Sequence, residues 1–563
     1  MGDSTASTND TYDYIIVGGG VSGLVLASRL SRLIPSSDRK QILVLEAGGD
    51  PLVTESEHIL SSQTAHLARD SPHSYQLTIA PNKNLGGRSV VVPVGKALGG
   101  SAVINGGAWT RGSKSDYDLW SRIVKDDDWS YEKLLPYMKR VESMAVREEN
   151  GVVKDESQHG YDGPVKAVPV RTLWPNRKYP LRDTVQMMWE EAGDKYLVDG
   201  NNGDQNGLTE LVEVWVDGMR QLPHKVFDLS KIEIRTGSAV QRVTFDESGA
   251  EPAANGVDLS TGEHLIALKE VIVAAGAYHS PQILKLSGIG DPQELQKHGI
   301  KTILKISEVG KNLMDHLAVG IVWKLKHGER GLAIGSPLFN EPTYFSGWPL
   351  DFIRFGPLDN LEKLEPFIKS QEDRDFLLRS DASHVEIVTL YAPMAKYAAK
   401  APLDGNYIST MAGCLTPTSR GSITLQSARV GDPPVIDVNF VDTEVDKFIL
   451  REAIRKAAAV HLGTEVGKSF ISHELPPEGY VAIADATDEE LNKRIADLGY
   501  SFDHPMGSCS MGKVVDSHCR VFGVKGLRVV DASVFPIPIS CHPQAAVYAT
   551  AERVAEWIGR GEQ

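Results

Sequence analysis

Near the start of the chain, Tyr14-Ile15-Ile16-Val17 runs straight into Gly18-Gly19-Gly20-Val21-Ser22-Gly23, and no other stretch restricts the fold as much. Four residues of high β-propensity predict a strand. Leu26, Leu30 and Leu33, at i, i+4 and i+7, predict a helix whose apolar face packs back onto it. The glycines fall at G-x-G-x-x-G spacing. Gly18 permits the tight turn, Gly20 lets backbone approach a pyrophosphate, and Gly23 allows close helix–strand packing. Free N–H groups and the dipole at such a helix start favour phosphate. A second strand, Gln41–Leu45, delivers Glu46 where an acidic residue meets a ribose hydroxyl. Strand, turn, helix, strand and acid in that order predict a dinucleotide site. Which dinucleotide it takes is open at this point.

At 563 residues the chain is too long for one core, so two large or interleaved domains are expected. A formal net charge of −15 argues against nucleic acid or an anionic membrane as a partner. No apolar run reaches the roughly 18 residues of a membrane span. Residues 1–12 read as a disordered tail that carries the N-x-[ST] sequon at Asn9, and the polar Met1–Asp10 lacks the features of a signal peptide. Cys414, Cys509, Cys519 and Cys541 are too few for a disulfide framework, and Gly561-Glu562-Gln563 is not a peroxisomal tripeptide. A reducing, cytoplasmic location is expected.

After Glu46 the chain to about Asn84 reads as loops and short helices. Ser89–Val94 then leads into a segment in which Gly95, Gly99, Gly100, Gly106, Gly107 and Gly112 alternate with Leu98, Val103, Ile104 and Trp109. So many glycines exclude a regular helix or long strand. The interleaved apolar residues favour backbone laid against a flat ligand over a solvated loop. Trp120 to Val141 has a helical pattern. Strands are expected at 232–235, 239–245, 257–259 and 271–276, the last buried and ending in Gly276. Ser280-Pro281 then reads as N-cap and first residue of a helix that Ser287-Gly288 ends. From 317 to 499 the sequence looks irregular. It holds an aromatic cluster, Tyr344 to Phe355, that serves either core packing or a substrate wall. Leu527–Asp531 reads as a strand ending in an acid, and Pro543–Gly559 as a terminal helix.

Taken together, these segments resemble the glucose–methanol–choline oxidoreductases, which are FAD-dependent. The resemblance rests on the Gly18–Gly23 turn with Glu46, on Gly95–Gly112, Gly276–Gly290, Val309–His316, Pro417–Gly421 and His504–Gly512, and it covers nearly the whole chain. It implies an α/β, Rossmann-like FAD-binding domain interleaved with an α+β substrate-binding domain that contains a largely antiparallel sheet. The FAD domain is expected over 13–155, 226–316 and 500–563, and the substrate domain over 156–225 and 317–499. It further implies Gly18, Gly20, Val21, Ser22 and Gly23 at the pyrophosphate and Glu46 on the adenosine ribose. Val240 would meet the adenine, and Asp531 with Ala532 would close on the phosphates. Ser101, Asn105, Gly106 and Ala108 would lie along the flavin side. Covalently flavinylated relatives carry a histidine where this chain has Ile104, so FAD is expected to bind non-covalently.

By the same resemblance, His504 matches the principal base and His542 its partner on the substrate oxygen. Oxidising an alcohol removes a hydride, here to flavin N5, and a hydroxyl proton, and a histidine with an ordinary pKa near ~6.5 suits the second task. The partners implied are a small-molecule alcohol and oxygen or another electron acceptor. A second reading keeps FAD but uses the histidines for non-redox lyase or cyclase chemistry. Asp503 precedes the base. On a strand it would face away from the site; facing in, it would raise the pKa of His504 and favour a polar or cationic substrate. No C-x₂-C or H-x₃₋₅-H spacing supports zinc, and no G-x-S-x-G supports a serine hydrolase.

Overall fold

Two large sheets divide the chain between them in the computed structural model, which describes residues 11–35, 41–53, 60–145, 157–173, 175–394 and 398–561. The first has seven strands. Thr11–Val17 runs parallel to Ile42–Leu45 on one side and to His264–Val273 on the other, with Glu233–Arg235 beyond Ile42–Leu45. Leu527–Val529 adds in parallel to the end of His264–Val273, while Ala253–Leu259 and Val240–Asp246 extend its beginning as antiparallel strands. Ile15, Ile16, Leu43, Val44, Val271 and Ile272 are buried. Covered on both faces, such strands carry continuous apolar runs instead of alternating ones. Helix Val21–Leu33 packs beside the final helix, Gln544–Gly559. Leu26 and Leu30 are buried but Leu33 is 45% exposed, so the apolar face ends one turn early.

Thr11 and Tyr12 belong to this sheet and not to a tail. They pair with Ile266 and Ala267, and Arg235 donates to the buried Tyr12 hydroxyl at 2.8 Å. Residues 1–10 with the Asn9 sequon, the boundary at 155/156, and Glu562 and Gln563 lie outside the described residues.

The second sheet has eight strands. Ile471–Leu475, Leu317–Leu325, Tyr407–Cys414, Val385–Leu390, Phe352–Gly356, Gly207–Glu210 and Tyr196–Leu197 follow one another, antiparallel except for the last pair. This is the antiparallel sheet that the family resemblance implies, and it replaces the irregular reading of 317–499. Its strands were hard to see because Val385–Leu390 and nearly all of Leu317–Leu325 are buried on both faces, which removes the period-2 pattern. Tyr500–Ser501 also pairs here, with Ala318 and Leu317. The chain therefore leaves the second sheet only just before the predicted base.

Two helical expectations change. Trp120–Val141 is part of two helices, Lys114–Val124 and Tyr131–Val141, separated where Lys125 turns left-handed (φ 56°) and the Asp126 carboxylate accepts the Asp128 N–H at 3.0 Å. The helix expected from Ser280 starts at Gly276 and runs to Leu286, so Ser280 and Pro281 lie inside it. The Ser280 hydroxyl accepts the Ala275 N–H at 3.0 Å and donates to Asp531. Pro281 has no N–H to give the Ala277 carbonyl four residues back. The Ser508 hydroxyl, from the predicted active-site segment, donates to that carbonyl instead.

Candidate active site

Four parallel strands of the first sheet end together, delivering Gly18, Glu46, Ala274 and, one residue beyond Val530, Asp531 to the same edge. Ligand sites of open α/β sheets lie at such carboxyl ends. Gly18 is left-handed (φ 115°), and a Cβ there would sit 2.3 Å from the Ala274 carbonyl oxygen. A Cβ on Gly23 would lie 2.0 Å from the Gly18 carbonyl oxygen. Gly20, as N-cap, supplies no side-chain cap. The first-turn N–H groups of Val21, Ser22 and Gly23 thus have no acceptor within the helix and suit an anion. The Ser22 hydroxyl donates to the Val530 carbonyl, which ties the turn to the last strand. Glu46 is buried, accepting the Gly19 N–H at 2.9 Å on one oxygen and the Gly48 N–H at 2.7 Å on the other. Burial pushes its carboxyl up against the pull of those N–H groups. Each oxygen keeps a further lone pair, enough for a ribose hydroxyl. Val240, also buried, stands two residues past Ser238, whose N–H donates to the Glu46 carbonyl at 2.8 Å.

Asp531 is occupied by the protein itself. It accepts the Gly276 N–H at 2.9 Å, the Ser533 N–H at 2.8 Å and the Ser280 hydroxyl, and so clamps the last strand to helix Gly276–Leu286 with Ala532 beside it. The glycine-rich segment lies against the first turn: Gly99 N–H donates to the Gly19 carbonyl at 2.8 Å, and a Cβ on Gly100 would meet the Gly20 Cα at 2.7 Å. Ser101 is exposed next to them. Further along, the Asn105 side chain donates to Gln544 at 3.0 Å and accepts from Arg220 at 3.0 Å. The Gly106 carbonyl accepts from Trp215 at 3.0 Å and Trp348 at 2.6 Å, and the Ala108 carbonyl accepts from Gln544 at 2.9 Å. Trp348 of the aromatic cluster therefore touches this segment, whereas Phe352 and Phe355 are core. Ile104 is buried with Val103 and Leu222. Left-handed glycines, an uncapped helix start and a buried carboxylate with spare lone pairs fit the pyrophosphate and ribose of a dinucleotide.

The segment ends beside the two histidines. His504 and His542 have ring centroids 4.7 Å apart at 79°, with Phe502 next to both. The Asp315 carboxylate holds the base segment by accepting the His504 N–H at 2.9 Å and the Ser501 hydroxyl. Burial pushes this carboxyl up to about 8, helped by the charge of Asp503. His504 itself is pushed well below the ordinary imidazole range by burial and then by its neighbours His542, His316 and Arg69. It is neutral at physiological pH. His542 behaves oppositely. Burial opposes its charge, but the Glu386 carboxylate, 3.0 Å from Nε2, outweighs burial and lifts it above the ordinary value. Two groups of one type with their proton affinities driven apart make an acid and a base.

Asp503 is not on a strand. It is left-handed (φ 64°), its N–H donates to Ser501 at 2.7 Å, and its carboxylate forms an ion pair with Arg69. At His504 burial dominates, with His542, His316 and Arg69 adding to it, so the proton affinity falls instead of rising.

Sequence reasoning missed Glu386, Arg69, and the individual parts played by Asp315 and His316. Glu386 left a signal: it is the one acid in the apolar run Val385–Leu390, where a charge requires a partner. Arg69 left none, because its partner is 434 positions away. Among the described residues, no group of three His, Cys, Asp or Glu could hold a metal, the four cysteines are free and buried, and no helix is long and apolar enough to cross a membrane.

A candidate dinucleotide cradle beside a pair of histidines is an arrangement that suits a nucleotide-cofactor oxidoreductase. The N-terminal model of the GMC oxidoreductases matches residues 12–318 and the C-terminal model residues 417–551. The chain belongs to the GMC oxidoreductase family, whose members are FAD-dependent. It is 37% identical over 552 residues to the GMC-type oxidoreductase acuG of Aspergillus aculeatus, covering 97% of this chain and 99% of that one. It is 31% identical to an oxygen-dependent choline dehydrogenase of Vibrio vulnificus, covering 97% and 94%. A variant formate oxidase of Aspergillus oryzae superposes with a TM-score of 0.86 at 26% identity, covering 99% of both chains.

Proposed function

We propose that this oxidoreductase oxidises an alcohol, with His504 as general base and His542 as the cationic donor to the substrate oxygen. The observation that carries the reading is the opposite tilt of the two imidazoles at 4.7 Å. His542, charged through Glu386, hydrogen-bonds the hydroxyl oxygen and stabilises negative charge as the O–H bond breaks. His504, neutral, accepts that proton. General-base assistance of this kind contributes about 10²–10⁴ in rate. Bound FAD would supply the two-electron acceptor for the hydrogen lost from carbon. The residues proposed to hold it are Gly18, Gly20, Val21, Ser22, Gly23, Glu46 and Val240 at the nucleotide end, the Asp531–Ala532 corner, and Ser101, Asn105, Gly106 and Ala108 at the flavin end. Ile104 gives no side chain for a covalent link, which supports non-covalent binding. Oxygen or another acceptor completes the cycle.

The acid–base pair is complete without an electron acceptor, and this favours one further reading, a lyase or ring closure in which FAD stays oxidised. Anaerobic mixing of holoenzyme with a panel of alcohols separates the two. Bleaching of the flavin band by a substrate is expected; product formation with the band unchanged would replace oxidation by the second reading.

A further inference from the structure

A third imidazole stands behind the base. His316, at the end of the Val309–His316 segment, is buried, with its Nδ1 3.1 Å from the Nδ1 of His504 and the rings at 88°. Two Nδ1 atoms at that distance must share one proton, because two lone pairs repel and two N–H groups collide. Both rings are neutral. Burial and then the charge of His542 press His316 down to about 3, and burial with its cationic neighbours presses His504 down as well. One ring therefore donates and the other accepts.

Which ring donates decides what His504 offers a substrate. If His316 donated, neutral His504 would carry its proton on Nε2 and have no lone pair there. If His504 donates, its Nε2 is bare. The nearby Leu415 backbone raises the proton affinity of His316, which favours a ring N–H there. With Nδ1 turned to His504, that N–H belongs to Nε2, which is buried and has no partner in full hydrogen-bond geometry among the described residues. A neutral imidazole protonated on Nε2 has a bare Nδ1, so it accepts from His504.

We propose that His316 is a positioning residue that fixes His504 with its proton on Nδ1 and its lone pair on Nε2, and that goes on accepting the Nδ1 proton when Nε2 takes the substrate's. The proposal rests on the alcohol reading only for the source of that second proton. In the step the substrate O–H bond breaks, an N–H bond forms at His504 Nε2, and the imidazolium donates from Nδ1 to neutral His316. The other titratable and charged groups around His504 are Asp315, whose carboxyl takes its backbone N–H and keeps its proton up to about 8, the Arg69–Asp503 pair, and His542 with Glu386. Among the described residues, the hydrogen-bond partner of His504 Nδ1 is His316.

The test reads the tautomer. Holoenzyme containing ¹⁵N-histidine, with His504→Gln for assignment, is expected to show His504 protonated on Nδ1 and bare on Nε2 at neutral pH. His316→Phe, which keeps a ring but offers no acceptor, is expected to move His504 to the Nε2–H form and to lower kcat by about 10²-fold, with the flavin absorbance unchanged. His316→Gln, whose side-chain oxygen accepts, is expected to keep the wild-type tautomer and most of the rate. A wild-type spectrum with His504 protonated on Nε2 overturns the proposal, and so does a wild-type tautomer in His316→Phe. If the Phe variant does not fold, the wild-type and Gln spectra still decide. None of these spectra needs turnover, so failure to find an alcohol that bleaches the flavin counts against the proposed reaction and not against the tautomer.

Discussion

Replacing Glu386 by Gln tests whether the charge on His542 is made by its neighbour. The substitution keeps the volume and an oxygen near Nε2 but removes the anion. Coulomb's law for charges about 4 Å apart at an effective dielectric near 20 gives roughly 4 kcal/mol. The His542 side chain is 26% exposed, and solvent screening reduces that to about 2 kcal/mol. This corresponds to a change of about thirtyfold in the fraction of His542 that carries the extra proton. Glu386 is itself fully buried, so no water takes over its role. If catalysis requires cationic His542, the basic limb of the kcat/KM profile moves to lower pH in Glu386→Gln. The rate then falls by about 10–100-fold at neutral pH and recovers on acidification, while the flavin spectrum stays constant. The measurement is kcat/KM from pH 5 to 9 for both proteins on one alcohol. A variant profile of unchanged shape, whatever its height, would refute the argument that Glu386 sets the charge of His542.

Three further outcomes are expected. Gly23→Ala places a Cβ 2.0 Å from the Gly18 carbonyl oxygen; it should reduce bound FAD per chain and lower Tm by roughly 3–10 °C, and an FAD-replete variant of unchanged Tm contradicts the close-packing role. Asp503→Asn strips Arg69 of its counter-charge next to His504, which becomes harder to protonate. The acid limb of the profile should move to lower pH while the rate at neutral pH changes less than about fivefold, as for a partly exposed pair; an acid limb that stays in place would mean that the Arg69–Asp503 pair does not reach His504. Asp315 has its folded pKa raised to about 8 by burial, so between about 4 and 8 the folded state holds a proton that the unfolded state has released, and stability falls as pH rises through that window. Asp315→Asn should flatten Tm over the same range, and equal slopes for the two proteins would show that the carboxyl is not the titrating group.

What the sequence disclosed was local. Tyr14 to Gly23, Glu46 and the Leu527–Asp531 strand were legible because each is a short run whose residue types answer to one geometry. The Gly276–Leu286 helix was found but misplaced. Ser280-Pro281 matches a helix start, and only the distant Ser508 hydroxyl explains how proline is accommodated inside. The second sheet was nearly invisible to periodicity, and its antiparallel character came from the family resemblance. His504 and His542 also came from family motifs, since sixteen histidines offer no internal way to choose two. Glu386 meets His542 across 156 positions and Arg69 meets Asp503, the neighbour of His504, across 434, and contacts of that kind exist only once the chain is folded.

The strand that finishes the first sheet also sets a schedule for making the protein. His264–Val273 waits for Leu527–Val529, and the Ala277 carbonyl waits for Ser508. A ribosome adding roughly 5–20 residues per second needs some tens of seconds to cover that interval. Throughout it, the nascent chain presents an open strand edge and an unmet carbonyl beside the residues proposed to hold the cofactor. The segment bearing His504 thus arrives long after the strands it joins, and the same late stretch that carries the two candidate histidines supplies the strand and the hydroxyl for which the earlier elements wait.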